Sequence, residues 1–167
     1  MNVHILVGTT LGGTEYVADM MNDALKDHGI ESRVLVEFDD ITECTNKNDY
    51  WIICTSTHGG GELPENIQQL SEYLNSQPNL NKVHYDVIGI GDSSYDTFCQ
   101  AAKTLDEEIE QCGAIRTLEP FYIDIQKHPL PEDLALNWLN EWYEKNCFDV
   151  DNQYNECDYE ENDYNNY

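Results

Sequence analysis

Positive charge is what this chain has least of. Eight Lys and Arg stand against 33 Asp and Glu over 167 residues, a formal net charge of −25. Binding to nucleic acid or to an anionic membrane surface rests on clustered Lys and Arg, so neither is expected as a partner. Long apolar runs are missing as well, and no stretch is long enough to cross a bilayer. The opening MNVHILVG has no basic leader and reads as a first strand, so no signal peptide is expected and a cytoplasmic location is. The cysteines Cys44, Cys54, Cys99, Cys112, Cys147 and Cys157 form no CxxC pair and no metal-ligand spacing. Most lie in apolar runs, which fits buried thiols in a reducing compartment better than a disulfide framework. A catalytic constellation is also absent: His4, His28, His84 and His128 fall on strands or loops without paired carboxylates at metal spacing. These absences point away from an enzyme with its own acid, base or nucleophile.

What remains is a globular chain, 40% hydrophobic and 11% aromatic, of a length suited to one domain with a real core. Its acidity suits either plain solubility or a basic protein partner, and composition leaves both open. From Phe148 the character changes. The stretch YNECDYEENDYNNY has a loose five-residue repeat and no basic residue. It gives a domain over 1–147 followed by an acidic, disordered tail over 148–167.

Short apolar runs at 2–8, 33–38, 50–56, 85–91 and 121–125 read as strands. Several are nearly continuous in apolar residues, as strands covered on both faces must be. Helical spacing connects them. Val17, Met20, Met21, Ala24 and Leu25 share one face, Phe98, Ala102, Leu105 and Ile109 another. Pro64 and Pro131 stand where helices can begin. Alternation of this kind gives an α/β fold: a doubly wound, five-stranded parallel sheet of order 2-1-3-4-5 with helices on both faces.

In such sheets the ligand sits beyond the carboxyl ends of the strands, where the strand order reverses. Three unusual loops should meet there. GTTLGGTE (8–15) offers hydroxyls, two glycines and a helix start, a nest for phosphate without any Lys or Arg; alone it is equally an ordinary strand-to-helix turn. TSTHGGGELPEN (55–66) holds three consecutive glycines, and alone would pass for a flexible surface loop. GIGDSSYDTFC (89–99) brings Tyr95 and Phe98 to the same mouth. Together they suggest a flat ring with a phosphorylated tail.

These three segments, with the end HPLPEDLALNWLNEW, resemble the flavodoxin family and within it the small MioC-type proteins, over roughly residues 2–143. The resemblance implies a short-chain flavodoxin-like fold and FMN as cofactor. By it, Thr9, Thr10, Leu11, Gly12, Gly13 and Thr14 hold the FMN phosphate. Thr57, His58, Gly59, Gly60 and Gly61 lie along one side of the flavin. Gly91, Asp92, Tyr95, Phe98 and Cys99 hold the other side, with Tyr95 stacked and the N–H groups of Asp92 and Cys99 toward the pyrimidine oxygens. His58 stands where many flavodoxins place Trp, so that ring face is less covered.

The glycines have a physical use. Uptake of one electron and one proton puts a hydrogen on the flavin N5, and in flavodoxins a neighbouring peptide turns its carbonyl to receive it. Such a turn passes through positive φ, which glycine reaches without steric cost, so Gly59 and Gly60 should make it easy. The implied role is a monomeric single-electron carrier. Its partners would be basic-patched proteins: a flavodoxin or ferredoxin reductase upstream and a biosynthetic enzyme such as biotin synthase downstream. The alternative is a protein-binding module of the same fold with weak or lost flavin binding. A phosphoacceptor module is disfavoured because Cys54, Thr55 and Ser56 occupy the end of strand 3, where an aspartate is required.

Overall fold

Alternate side chains of the strands point to opposite faces, and here both faces are covered. In β1 (Asn2–Gly8), Val3, Ile5 and Val7 pack on one side and Leu6 on the other, all fully buried. β3 (Asp49–Ser56) repeats this with Tyr50, Ile52 and Cys54 against Trp51 and Ile53. That is why these runs carry no polar alternation. The structure, a computed structural model, describes the backbone of residues 1–160 and the side chains of residues 1–147. The tail expected over 148–167 lies outside those side chains, and 161–167 lie outside the described residues altogether.

The remaining strands are β2 (Glu31–Leu35), β4 (His84–Gly91), β5 (Ile115–Arg116) and β6 (Phe121–Asp124). All pairings are parallel in the order 2-1-3-4-5, as the alternation of elements predicts. Helices α1 (Gly13–Asp27) and α4 (Pro131–Glu160) cover one face, where Val17, Met21, Leu25, Trp138 and Trp142 meet the first set of strand residues. Helices α2 (Gln68–Asn75) and α3 (Gln100–Gln111) cover the other with Leu70, Leu74, Leu105 and Ile109. Each large apolar side chain so buried stabilises the fold by roughly 1.5–3 kcal/mol before conformational entropy is charged against it.

The sheet has one piece more than the five expected. Two short strands share the fifth position: β5 pairs with the start of β4 at His84 and Tyr85, and β6 with its end from Ile88 to Gly91. The gap between them is bridged by a side chain. Asp86, fully buried in β4, accepts the N–H groups of Thr117 (3.1 Å) and Leu118 (2.6 Å) on Oδ1. Its Oδ2 accepts the hydroxyls of Thr117 (2.6 Å) and Tyr50. Burial raises the Asp86 carboxyl above the usual range, and these four donors pull against that rise. A carboxylate thus does the work of the missing ladder bonds and keeps β6 in register, so that its end at Asp124 and Ile125 reaches the ligand edge of the sheet.

Candidate functional site

The carboxyl ends of β1, β3 and β4 lie side by side, with Gly8 opposite Thr55 and Ser56 opposite Ile90. The chain leaves the sheet there in three loops, and their placement follows from a few local choices. After β1, Thr9 turns its hydroxyl back to accept the N–H of Gly12 at 2.9 Å. Gly12 sits at φ 89°, in the left-handed region that costs an L-residue about 1–2 kcal/mol. It precedes α1 without any side-chain cap. The first intrahelical bond runs from Tyr16 N–H to the Gly12 carbonyl, so the N–H groups of Gly13, Thr14 and Glu15 come before the ladder begins. Uncapped N–H groups at the positive end of a 15-residue helix form a seat for an anion without any cationic side chain.

After β3 the chain makes a tight reversal. His58 N–H donates to the Glu62 carbonyl (2.8 Å), and the His58 carbonyl accepts Gly61 N–H (3.1 Å) and Glu62 N–H (2.9 Å). Gly59 and Gly61 take φ of 50° and 114°. The peptide joining Gly59 to Gly60 is the exception in this turn: among the described residues neither its carbonyl nor its N–H is hydrogen-bonded. It is the peptide that can rotate without breaking a bond. Thr57 anchors the start of the turn, its hydroxyl accepting the Ala101 N–H at 3.1 Å, and so it also serves the first turn of α3. His58 is exposed, with Nδ1 3.5 Å from the Thr10 hydroxyl.

The third loop is tied down by acids. Asp92 accepts the N–H (2.9 Å) and hydroxyl (2.6 Å) of Ser94 and the side-chain amide of Gln126 (2.9 Å). The Ser94 hydroxyl, then the Gln126 amide, then the Ser94 N–H hold its carboxyl below the usual range, so it is charged at neutral pH. Asp124 accepts Ser93 N–H at 3.1 Å and Gln126 N–H at 3.0 Å, which locks this loop to the end of β6. Cys99, 1% exposed, takes φ 54° ahead of α3. A non-glycine in that region marks backbone held under strain. Burial pushes its thiol up to about 12, so it is not a nucleophile here. The N–H groups of Asp92 and Cys99 find no acceptor among the described residues.

Two adjoining hollows result, of about 330 and 460 Å³, sharing Ser56, Thr57, Gly59, Ile90 and Ile125 as common walls. The larger extends over Thr9, Thr10, Leu11, Gly13, Thr14 and His58. The smaller extends over Gly91, Asp92, Tyr95, Phe98 and Cys99. Of the residues expected at the site, Gly12, Gly60 and Gly61 line neither; Gly12 and Gly61 shape the turns behind them. The walls also include residues that the expected set leaves out: Ser56, Ile90 and Thr97, which lie inside the three loop segments, and Ile125 and Pro131, which lie outside them. Ser56, Ile90 and Ile125 are found by extending the strand-end rule to every strand that borders the cleft. Thr97 and Pro131 carry no such signal.

A phosphate seat in one hollow and an aromatic-walled slot in the next call for a single ligand carrying both a phosphate and a flat ring. The N–H groups of Asp92 and Cys99 are donors of the kind that a pyrimidine's oxygens accept, and each hollow is in the range of small-molecule sites. By fold and site this is a mononucleotide-binding α/β protein, and its donor set fits FMN.

Comparison with known proteins gives the same class. The family profile described as Flavodoxin matches residues 5–138. The chain is 39% identical over 145 residues to a protein MioC homolog of Haemophilus influenzae, spanning 86% of this chain and 98% of that one. It is 37% identical over 142 residues to protein MioC of Escherichia coli O157:H7, spanning 84% and 95%. A cysteine-to-serine mutant of flavodoxin from Pseudomonas aeruginosa superposes with a TM-score of 0.77 at 32% identity, over 85% of this chain and 96% of that one. The chain belongs to the flavodoxin family, as a MioC-type flavodoxin-like protein. Its cofactor is FMN, and its class is that of electron carriers that work with redox partners such as reductases.

Proposed function

We propose that this chain shuttles single electrons from a flavodoxin or ferredoxin reductase to a biosynthetic redox enzyme, for which biotin synthase is a candidate. FMN, when bound, supplies a centre that accepts electrons and releases them one at a time. The chain's own residues bind and orient it. The loop from Thr9 to Thr14 takes the phosphate through N–H and hydroxyl groups, and hydrogen bonds at contact outweigh an acidic surface screened beyond about 8 Å. With FMN bound, Tyr95 would cover the ring and the N–H groups of Asp92 and Cys99 would hold its polar edge. The Gly59–Gly60 peptide, unbonded among the described residues, would be free to turn its carbonyl and accept a hydrogen bond from the ring. The observation that carries this reading is a set of N–H groups at both ends of the cleft, Gly13 and Thr14 at one and Asp92 and Cys99 at the other, that find no acceptor among the described residues.

Exchange with partners takes place at the exposed rim. Leu11 is 97% and Tyr95 63% exposed, on a chain with formal net charge −25. An apolar rim in an acidic field suits basic-patched partners steered from a distance. The test is reduction of the FMN-loaded chain by NADPH with and without a flavodoxin reductase. Reduction should require the reductase, and its rate should fall as salt rises. Consumption of NADPH by the chain alone, or a rate indifferent to ionic strength, would refute this reading.

A further inference from the structure

We propose that Asn66 is a positioning residue for the phosphate seat, the part that holds the seat open before the cofactor arrives. Asn66 lies at the start of the second face's helices, in the short 3-10 turn Glu65–Ile67, and touches neither hollow. Its side-chain carbonyl accepts the N–H of Thr9 at 2.9 Å. Its amide donates to the carbonyl of Val7 at 2.7 Å and of Val36 at 3.1 Å. One side chain therefore satisfies three backbone groups, from the end of β1, the first residue of the phosphate loop and the segment after β2.

The consequence reaches the ligand in two steps. Fixing Thr9 N–H fixes the Thr9 side chain, whose hydroxyl oxygen accepts Gly12 N–H at 2.9 Å. That bond sets Gly12 in its left-handed conformation and aims the uncapped N–H groups of α1 at one point. The Thr9 hydroxyl, with its oxygen taken as acceptor, keeps its hydrogen for a phosphate. With Asn66 removed, Thr9 N–H, the Val7 carbonyl and the Val36 carbonyl turn to water or to each other, and the loop samples conformations in which the N–H groups diverge. Asn66 also follows the glycine turn by only a few residues. The same backbone that carries the rotating peptide thus carries the peg of the phosphate loop.

This inference rests on FMN being the ligand and adds a property that FMN binding alone does not require: a role specific to the phosphate. The experiment compares FMN with riboflavin, which has the same ring and no phosphate, by fluorescence titration of the flavin-free chain. Asn66→Ala should weaken FMN about tenfold and leave riboflavin within about twofold of wild type. Retained riboflavin binding by Asn66→Ala shows that the variant is folded, and equilibrium urea unfolding of the flavin-free chain checks this independently. Thr9→Val, combined with Asn66→Ala, should cost less than the two single changes together, because both act through one chain of bonds. Equal loss of FMN and riboflavin, or strict additivity with Thr9→Val, would overturn the role. A wild-type chain that binds neither flavin would overturn the FMN reading itself, and the inference with it.

Discussion

Adjacent glycines in the phosphate loop allow the structure to be tested without any ligand. An added Cβ meets nothing within 4 Å at either Gly12 or Gly13, so neither substitution creates a clash. The two differ in backbone alone. Gly12 is at φ 89°, whereas Gly13 is the first residue of α1 and lies outside the positive-φ set. Gly12→Ala should cost about 1–2 kcal/mol, the penalty of a left-handed L-residue. Gly13→Ala should gain up to about 1 kcal/mol, since alanine has less backbone freedom to lose on folding. The variants therefore differ by roughly 2 kcal/mol, which separates their urea midpoints by about 1 M at the slopes usual for domains of this size. Equilibrium urea unfolding of the flavin-free proteins reads this directly. Coincident midpoints would mean that the loop relaxes without ligand and that the seat is not built before the cofactor arrives.

Three other outcomes follow from the geometry. Tyr95→Ala should weaken FMN by roughly fivefold in a fluorescence titration and leave the urea midpoint unchanged, because the ring is 63% exposed and has its packing to gain only from the ligand; an unaltered affinity would remove Tyr95 from the site. Asp86 has a raised carboxyl pKa in the folded chain, so the stability that it provides is full below the unfolded value and is lost as pH rises through the folded one. Asp86→Asn lacks that loss, and its midpoint relative to wild type should rise as pH is taken from the acid side of the carboxylate range to neutrality; a constant or falling difference would contradict the assignment. Cys99, buried and with its thiol pushed up to about 12, should resist iodoacetamide at neutral pH in the native chain and react in urea, as read by peptide mass spectrometry; rapid native labelling would refute its burial.

The order of the sheet and the meeting of the three loops were legible because they follow from patterns that act locally. Runs such as YWIICTS had to be strands covered on both faces, and their sequence spacing decided which loops share an edge. Glycines were informative where positive φ was needed, at Gly12, Gly59 and Gly61. Polar residues acting at a distance were not legible. Asp86 in YDVIGIG looks like a flaw in an apolar strand until Thr117 and Leu118, 31 and 32 positions later, are seen to bond to it. Asn66 stands at the end of the glycine-rich segment, yet its partners Val7, Thr9 and Val36 lie 59, 57 and 30 positions away. Thr57 was expected along the flavin and does line both hollows, but its hydroxyl is engaged by Ala101. Hydrogen-bond geometry of this kind depends on folded distances that no spacing rule encodes.

Stepwise reduction, followed by visible absorption, decides whether the chain is a one-electron flavin carrier. FMN is added to the purified chain and the excess is removed on a desalting column before reduction begins. Flavin bands should remain with the protein, and reduction should proceed in two resolved one-electron stages, which a Gly59–Gly60 peptide unbonded among the described residues would favour. A chain that keeps no flavin, or that takes both electrons in a single unresolved step, would contradict that role.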